Sequence, residues 1–169
     1  GEAVMVLDIV RRADITVTTA GLGAKTFTGG HGIPLTEDTS FASLTGEFDA
    51  VILPGGQPGA TNLKQSEEVL RFVRNSFDQG MLCAAVCAAP TVLAAAGILE
   101  SRTATCFPGF EDQLHGAVFS EKAVVVDGNI ITSRAVGTAI DFALAIIAYL
   151  EDQQAADAMA QRILHRYEA

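Results

Sequence analysis

The sequence predicts an α/β fold built on a mostly parallel sheet that helices cover on both faces. Hydrophobic residues make up 49% of the 169 residues and charged residues only 18%, a balance that suits strands buried on both sides. Short apolar runs, typical of buried strands, also alternate along the chain with helical patterns. The length is that of one domain over residues 1–169, large enough to bury a core.

Helices are predicted where apolar residues recur at helical spacing. Arg11 and Arg12 lie in the last turn of the first helix, where positive charges interact favourably with the helix dipole. Gly80 and Gly97 follow two others, at the position where helices commonly end. The predicted helices span residues 2–13, 67–79, 90–96, 138–150 and 154–167.

Strands are predicted where short apolar or β-branched runs stop at turn-forming residues. Gly29-Gly30 indicates a peripheral hairpin, and Asp127-Gly128 indicates a second tight turn between strands. The predicted strands lie at residues 15–20, 49–53, 81–86, 103–106, 123–126 and 129–132, with two more inside 26–35.

Composition excludes several classes of function. The net charge of −9 disfavours binding to nucleic acid, and no apolar run is long enough to span a membrane. The chain opens without the basic stretch of a signal peptide and has three cysteines, so free thiols in the cytoplasm are expected. No cysteine or histidine spacing matches a zinc site, so no metal is expected.

Cys87 is the candidate nucleophile. It follows a strand of small apolar residues, and Pro90 stands where the first turn of a helix could begin. A strained strand-to-helix elbow would lift the sulfur out of the sheet and place backbone N–H groups beside it. The alternative is an inert buried cysteine, the usual state of a free one.

Glycines after the preceding strand could complete such a site. Gly55 and Gly56 could turn their amides toward a ligand and, with the amide of Ala88, form an oxyanion hole. A plain tight turn is the competing interpretation. Cys83 lies within a strand and is expected in the core, whereas Cys106 either borders the site or serves packing.

Four segments of the chain form a recognisable set. They are Ile-Leu-Pro-Gly-Gly at 52–56, Ala-Ala-Val-Cys-Ala-Ala-Pro at 84–90, Asp-Gly-Asn-Ile-Ile-Thr-Ser-Arg at 127–134 and Gly-Thr-Ala-Ile-Asp-Phe-Ala-Leu at 137–144. Together they resemble the ThiJ/PfpI superfamily, most closely its DJ-one branch. The resemblance implies a flavodoxin-like three-layer sandwich, a homodimer and no cofactor. It also implies that the family's first strand, which precedes the first helix, is missing from the given chain.

The resemblance also assigns roles to individual residues. Cys87 matches the family's oxidation-prone nucleophile, and Glu2 the glutamate that hydrogen-bonds to it. Gly55 and Gly56 match glycines whose amides face the sulfur, and Arg12 an arginine near the dimer interface.

The match has departures. Many relatives place a histidine near the cysteine, and His115 is at best one position from it. His31 stands where some relatives carry an arginine and could line an anion site, although a solvated hairpin histidine is the alternative. Ala88 replaces the histidine of the proteolytic branch, which argues against a peptidase.

Two functions compete. In the first, the Cys87 thiolate attacks an α-oxoaldehyde such as methylglyoxal, and Glu2, holding its proton in a buried site, shuttles that proton in a glyoxalase- or deglycase-type reaction. In the second, Cys87 is an oxidative-stress sensor in a protein with chaperone-like action, and its sulfinate is stabilised by Glu2 and the amides.

Overall fold

The computed structural model describes residues 1–23 and 26–165 of the chain. The helices are α1 (Glu2–Arg12), α2 (Gly59–Gln65), α3 (Glu67–Asp78), α4 (Pro90–Ala95), α5 (Ala139–Leu150) and α6 (Gln153–Arg162). The strands are β1 (Ala20–Gly21), β2 (Thr26–Thr28), β3 (Pro34–Thr36), β4 (Thr39–Ser40), β5 (Ala50–Leu53), β6 (Leu82–Val86), β7 (Thr103–Ala104), β8 (Val118–Phe119), β9 (Val124–Asp127) and β10 (Ile130–Ser133). None of the helices in the described ranges is long and apolar enough to cross a membrane.

A four-stranded sheet in the order β5-β6-β10-β9 forms the centre of the fold. β5, β6 and β10 run parallel, with Ile52 opposite Ala84. β9 joins antiparallel through the turn that Asp127-Gly128 predicts. The remaining strands form short two-stranded pairs, β1 with β4, β2 with β3, and β7 with β8. The mostly parallel α/β architecture predicted from the sequence is confirmed.

The sheet separates two apolar cores. In β6, Leu82, Ala84 and Val86 face the core formed with α1, α5 and α6. Cys83 and Ala85 face the opposite core, formed with α3 and α4. All five residues are essentially inaccessible to solvent, as expected for a strand with helices on both faces. The flavodoxin-like layering of helices, sheet and helices follows from this alternation.

Some element boundaries differ from the prediction. Of the strand predicted at 15–20, only Ala20–Gly21 forms a ladder, with β4, and no strand in the described residues pairs with 15–19. Helix α2 was not predicted, since its glycine-led sequence lacks an apolar period. The strand predicted at 103–106 shortens to Thr103–Ala104. Helix α6 ends at Arg162, and its predicted end at Tyr167 lies outside the described residues.

Asp127 ties the β9–β10 hairpin to β7. Its carboxylate accepts hydrogen bonds from the Thr103 backbone N–H at 2.7 Å and from the Arg102 guanidinium at 3.0 Å. The Thr103 bond first, and then Arg102, hold the pKa of Asp127 below its usual range. A lowered pKa in the folded state stabilises the fold above the unfolded pKa, and the contribution is lost as the pH falls through the folded value.

We therefore expect Asp127→Asn to lower the free energy of unfolding at neutral pH by about 1 kcal/mol, a value that allows for solvent screening at the half-exposed arginine. Urea titrations across pH should show the difference from wild type shrinking as the solution becomes strongly acidic. Asp78→Asn, an exposed aspartate at the end of α3, is the matched control and should not reduce stability. An equal loss in both variants would contradict the role given to Asp127.

Candidate functional site

Cys87 stands on a strained turn between β6 and α4. Its φ of +63° lies in the left-handed region, which costs a residue with a side chain about 1–2 kcal/mol. Backbone hydrogen bonds fix the turn from two sides: the Cys87 N–H donates to the Ser133 carbonyl at 2.9 Å, and the Cys87 carbonyl accepts from the Phe107 N–H at 2.8 Å. The elbow predicted from the sequence is present, and its neighbours hold the strain in place.

Glu2 reaches the sulfur from the first turn of α1. Helix α1 packs along α5, and this packing sets its amino end beside the carboxyl ends of β5 and β6. The half-buried Glu2 carboxyl and the Cys87 thiol form a hydrogen bond. The structure thus brings together two residues that lie 85 positions apart in the chain.

Gly55 and Gly56 make different contributions to the site. A Cβ at Gly55 would lie 2.5 Å from the Cβ of Cys87 and 2.7 Å from Oε2 of Glu2, so only glycine leaves room for that pair. Gly56 adopts a φ of +83°, and its amide, with that of Ala88, hydrogen-bonds to the sulfur. The predicted amide cradle therefore contains Gly56 and Ala88, while Gly55 supplies the space.

Opposing effects set the electrostatics of Cys87. Burial first, and then the nearby Glu2 carboxylate, raise the pKa of Cys87 to about 11, whereas the Gly56 and Ala88 amides lower it. A thiolate beside an ionised Glu2 would place two negative charges in contact. Cys87 therefore keeps its proton at neutral pH, and the hydrogen bond gives that proton a path from the sulfur to the Glu2 carboxyl.

The other cysteines are less suited to nucleophilic chemistry. Cys83 is fully buried in β6, and burial raises its pKa to about 12. Cys106 is also buried, and burial, followed by the charge of Glu111, raises its pKa to about 11. The residue after Cys106, Phe107, donates a backbone hydrogen bond to the Cys87 carbonyl. Cys106 therefore borders the site from inside the core. Of the three thiols, Cys87 alone is not fully buried.

His31 lies in the exposed turn between β2 and β3. A Cβ at the adjacent Gly30 would lie 3.4 Å from the Gln57 carbonyl oxygen, so this turn rests on the loop that carries Gly56. His31 therefore stands near the rim of the site rather than among the groups that touch the sulfur.

The structure does not bring His115 or Arg12 to the sulfur. His115 precedes Gly116, whose carbonyl accepts a hydrogen bond from the Ser101 N–H beyond the carboxyl end of α4. The site is at the amino end of that helix. Arg12 is the last residue of α1 and so lies at the opposite end of the helix from Glu2.

The sequence did not reveal the roles of Ser133 and Phe107 in holding Cys87. Both hold Cys87 through backbone atoms, which any residue type could supply, so no sequence signal marks them. Ser133 is itself fixed by its side chain, which donates to the Ala123 carbonyl at 2.9 Å and pairs with the Thr138 hydroxyl at 2.7 Å. The far wall of the turn is thus held by a buried polar network.

The fold and site together define an α/β protein with a cysteine at a strained strand-to-helix elbow, hydrogen-bonded to a carboxyl group from the first helix. The chain belongs to the DJ-1/PfpI family, whose model matches residues 1–149.

Similar proteins include two DJ-1 proteins that match nearly the whole chain and an archaeal deglycase that matches about two thirds of it. Protein dj-1beta of Drosophila melanogaster is 38% identical, with 98% of this chain and 91% of the relative covered, and its crystal structure superposes with a TM-score of 0.93. The oxidized DJ-1 of Toxoplasma gondii also superposes at 0.93, with 31% identity over 98% of this chain and 92% of that one. Deglycase PH1704 of Pyrococcus horikoshii is 36% identical over 64% of this chain and 67% of its own length.

Proposed function

We propose that this protein is a cofactor-free, cysteine-dependent stress-response enzyme that converts reactive carbonyls such as methylglyoxal, acting as a single-domain homodimer in the cytoplasm. The observation that carries the proposal is the hydrogen bond between the Cys87 thiol and the Glu2 carboxyl, beside two amides that face the sulfur. The deglycase name of the Pyrococcus horikoshii relative supports a carbonyl substrate.

The first step is addition of the thiol to the aldehyde. As the sulfur of Cys87 bonds to the aldehyde carbon, Glu2 accepts the thiol proton, and the carbonyl electron pair moves onto oxygen. The Gly56 and Ala88 amides, which already hydrogen-bond to the sulfur, are positioned to stabilise that negative charge. Glu2 then returns its proton to the oxygen, giving a neutral hemithioacetal and a free carboxylate.

The second step is an internal transfer of hydrogen. The Glu2 carboxylate removes the proton from the carbon bonded to sulfur and gives it to the neighbouring carbonyl oxygen, which forms an enediol. Glu2 then takes the hydroxyl proton from the carbon bonded to sulfur and delivers it to the neighbouring carbon, which restores a carbonyl next to sulfur. The product is a lactoyl thioester on Cys87, which water hydrolyses to lactate with return of the thiol. Glu2 carries one proton at a time throughout, beginning with the proton of the Cys87 thiol.

The test is methylglyoxal consumption together with lactate formation by the purified protein. We expect Cys87→Ser to reduce both to the background rate, because the hydroxyl is a far weaker nucleophile than the thiol. Cys83→Ala is the matched control, since this thiol is sealed in the core, and it should retain turnover. Wild-type protein that forms no lactate, or Cys87→Ser that forms it at the wild-type rate, would overturn the proposal.

A second candidate, an oxidation sensor, is favoured by the same contacts. One peroxide would convert the Cys87 thiolate to a sulfenate and water, and a second would give a sulfinate whose oxygens the amides and a protonated Glu2 could bind. The oxidized state of the Toxoplasma gondii relative supports this chemistry. Peroxide titration with intact-mass analysis, run beside the lactate assay, separates the two. A gain of two oxygens on Cys87 without any turnover would favour the sensor.

A further inference from the structure

The β10–α5 turn, residues 134–138, contacts both halves of the cysteine site. The residue that leads into it, Ser133, accepts the Cys87 N–H through its carbonyl at 2.9 Å. Within the turn, Cγ2 of Val136 would lie 2.8 Å from a Cβ placed on Gly1, so a valine methyl packs against the backbone that leads into α1. The turn is therefore linked both to the elbow that carries the thiol and to the start of the helix that carries the carboxyl.

Hydroxyl groups hold this turn together in a fixed direction. The Ser133 hydroxyl donates its one proton to the Ala123 carbonyl at 2.9 Å, so its 2.7 Å bond to the Thr138 hydroxyl is donated by Thr138. The Thr138 oxygen in turn accepts the Ala135 N–H at 3.1 Å. The Ala135 carbonyl, 2.9 Å from the same hydroxyl, also accepts the Thr138 N–H at 3.0 Å. Thr138 thus stands in the middle of a continuous chain of hydrogen bonds from Ala135 to Ala123.

Thr138 also connects this chain of hydrogen bonds to α1. It directly precedes α5, the helix along which α1 packs, and it fixes the turn from which Val136 contacts the start of α1. A change at Thr138 therefore reaches Glu2 by two routes. It reaches Cys87 through Ser133, which the pairing of β10 with β6 and β9 continues to hold.

We propose that Thr138 is a positioning residue that aligns the Glu2 carboxyl with the Cys87 thiol. It acts through Val136 on the start of α1 and through Ser133 on the elbow. Hydrogen bonds weaken steeply as their distance and angle depart from the preferred values, and small misplacements of reacting groups lower rates strongly. The inference rests on the proposed proton transfer between thiol and carboxyl, and it adds the residue that holds the two groups in register.

Thr138→Val is the first test, because valine has the shape of threonine without its hydroxyl. We expect methylglyoxal turnover to fall by about 10- to 100-fold, and Thr138→Ser, which keeps the hydroxyl, to retain most of it. Burial and the Glu2 carboxylate raise the pKa of Cys87 to about 11, and both effects weaken if the start of α1 draws away. The titration of Cys87 in Thr138→Val should therefore move to lower pH.

Two measurements follow this change without any turnover. Ultraviolet absorbance of the thiolate against pH, with Cys87→Ser subtracted, gives the titration. The rate of iodoacetamide labelling at Cys87 should rise several-fold near neutral pH, because a larger share of the thiol is ionised. If Thr138→Val keeps the wild-type titration and labelling rate, Thr138 is merely structural and the proposal is overturned. Equal behaviour of Thr138→Ser and Thr138→Val would overturn it as well, since the hydroxyl would not matter.

Asp127→Asn is the matched control for lost stability. Asp127 pairs with Ile130, at the opposite end of β10 from Ser133, so this variant should be destabilised and yet keep the wild-type turnover and Cys87 titration. A titration shift in Asp127→Asn equal to that in Thr138→Val would show that any loss of stability moves Cys87, and would refute the positioning role.

Val136→Ala tests the route to α1 in a variant that should fold, because this side chain is 51% exposed. We expect turnover lower by about tenfold and a Cys87 titration at lower pH. Val126→Ala, at a valine of β9 that is 56% exposed, is the control and should match wild type. An unchanged titration in Val136→Ala would refute the link to α1. If wild-type protein formed no lactate, the carbonyl reaction would be refuted, while the titrations and labelling rates would still decide the role of Thr138.

Discussion

Replacing Glu2 by Gln is expected to reduce methylglyoxal turnover by about 100-fold or more, the usual loss when a general acid–base group is removed. Glutamine keeps the size of the side chain and an N–H donor for the sulfur, so Cys87 should stay in place. Glutamine cannot accept the thiol proton, and it cannot move the protons that the isomerisation requires. Addition to the aldehyde would survive, and isomerisation to the thioester would fail.

The same variant should shift the titration of Cys87 in a stated direction. The Glu2 carboxylate raises the pKa of Cys87 through both its hydrogen bond and its charge. Removing that charge and presenting an amide donor should lower the pKa from about 11. The ultraviolet absorbance of the thiolate against pH measures the shift, with Cys87→Ser subtracted to remove the signal of the buried thiols.

Glu67→Gln is the control for this substitution. Glu67 is the first residue of α3, as Glu2 is of α1, so both changes remove a carboxylate from the first turn of a helix. Glu67→Gln should leave both turnover and the Cys87 titration unchanged. Normal lactate formation by Glu2→Gln would refute the proton-transfer role and leave the oxidation sensor as the better account.

Gly55→Ala is expected to remove most turnover while the overall fold survives. The added methyl would lie 2.5 Å from the Cβ of Cys87, 2.6 Å from the Val86 carbonyl oxygen and 2.7 Å from Oε2 of Glu2. The first two atoms belong to or adjoin the backbone and cannot rotate away. We expect a shift of the elbow, a loss of stability of about 1–3 kcal/mol, and turnover lower by about 100-fold from misplacement of the reacting groups.

Other glycines of the same region provide graded controls. Gly59 begins α2, has an ordinary φ and leaves space for a Cβ, so Gly59→Ala should behave as wild type. Gly56→Ala meets no atom within 4 Å but must hold a φ of +83°; it should lose about 1 kcal/mol of stability and keep its amide and most turnover. In thermal melts and lactate assays, Gly59→Ala should be the least affected, Gly56→Ala intermediate and Gly55→Ala the most affected. If Gly55→Ala matched Gly59→Ala, the steric role of Gly55 would be wrong.

Local pattern was enough to predict most helices and the central strands. Helices α1, α3, α4 and α5 and strands β5, β6 and β10 fall within a residue or two of the predicted spans, because apolar periodicity depends on neighbours in sequence. The strand predicted at 15–20 was largely wrong, for a complementary reason. Its β-branched residues fit an extended chain, but a ladder needs a second backbone alongside, which the residues of the run do not encode.

The site could be predicted where its residues are adjacent in sequence, but not where they meet only in the folded protein. The elbow at Cys87 followed from a strand, a short turn and Pro90, all adjacent in sequence. The role of Glu2 came from the family resemblance, since a glutamate at a helix start is otherwise unremarkable. Nothing in the sequence separated the steric part of Gly55 from the amide of Gly56, because both glycines follow the same strand.

The alternation of helices and buried strands and the position of the cysteine elbow could be predicted from sequence, since each depends on residues close along the chain. Only the folded arrangement brings Glu2 to Cys87, reserves the space at Gly55 and places His115 away from the site. Those features depend on how α1, β5 and β6 meet, and the packing of elements far apart in sequence sets that arrangement.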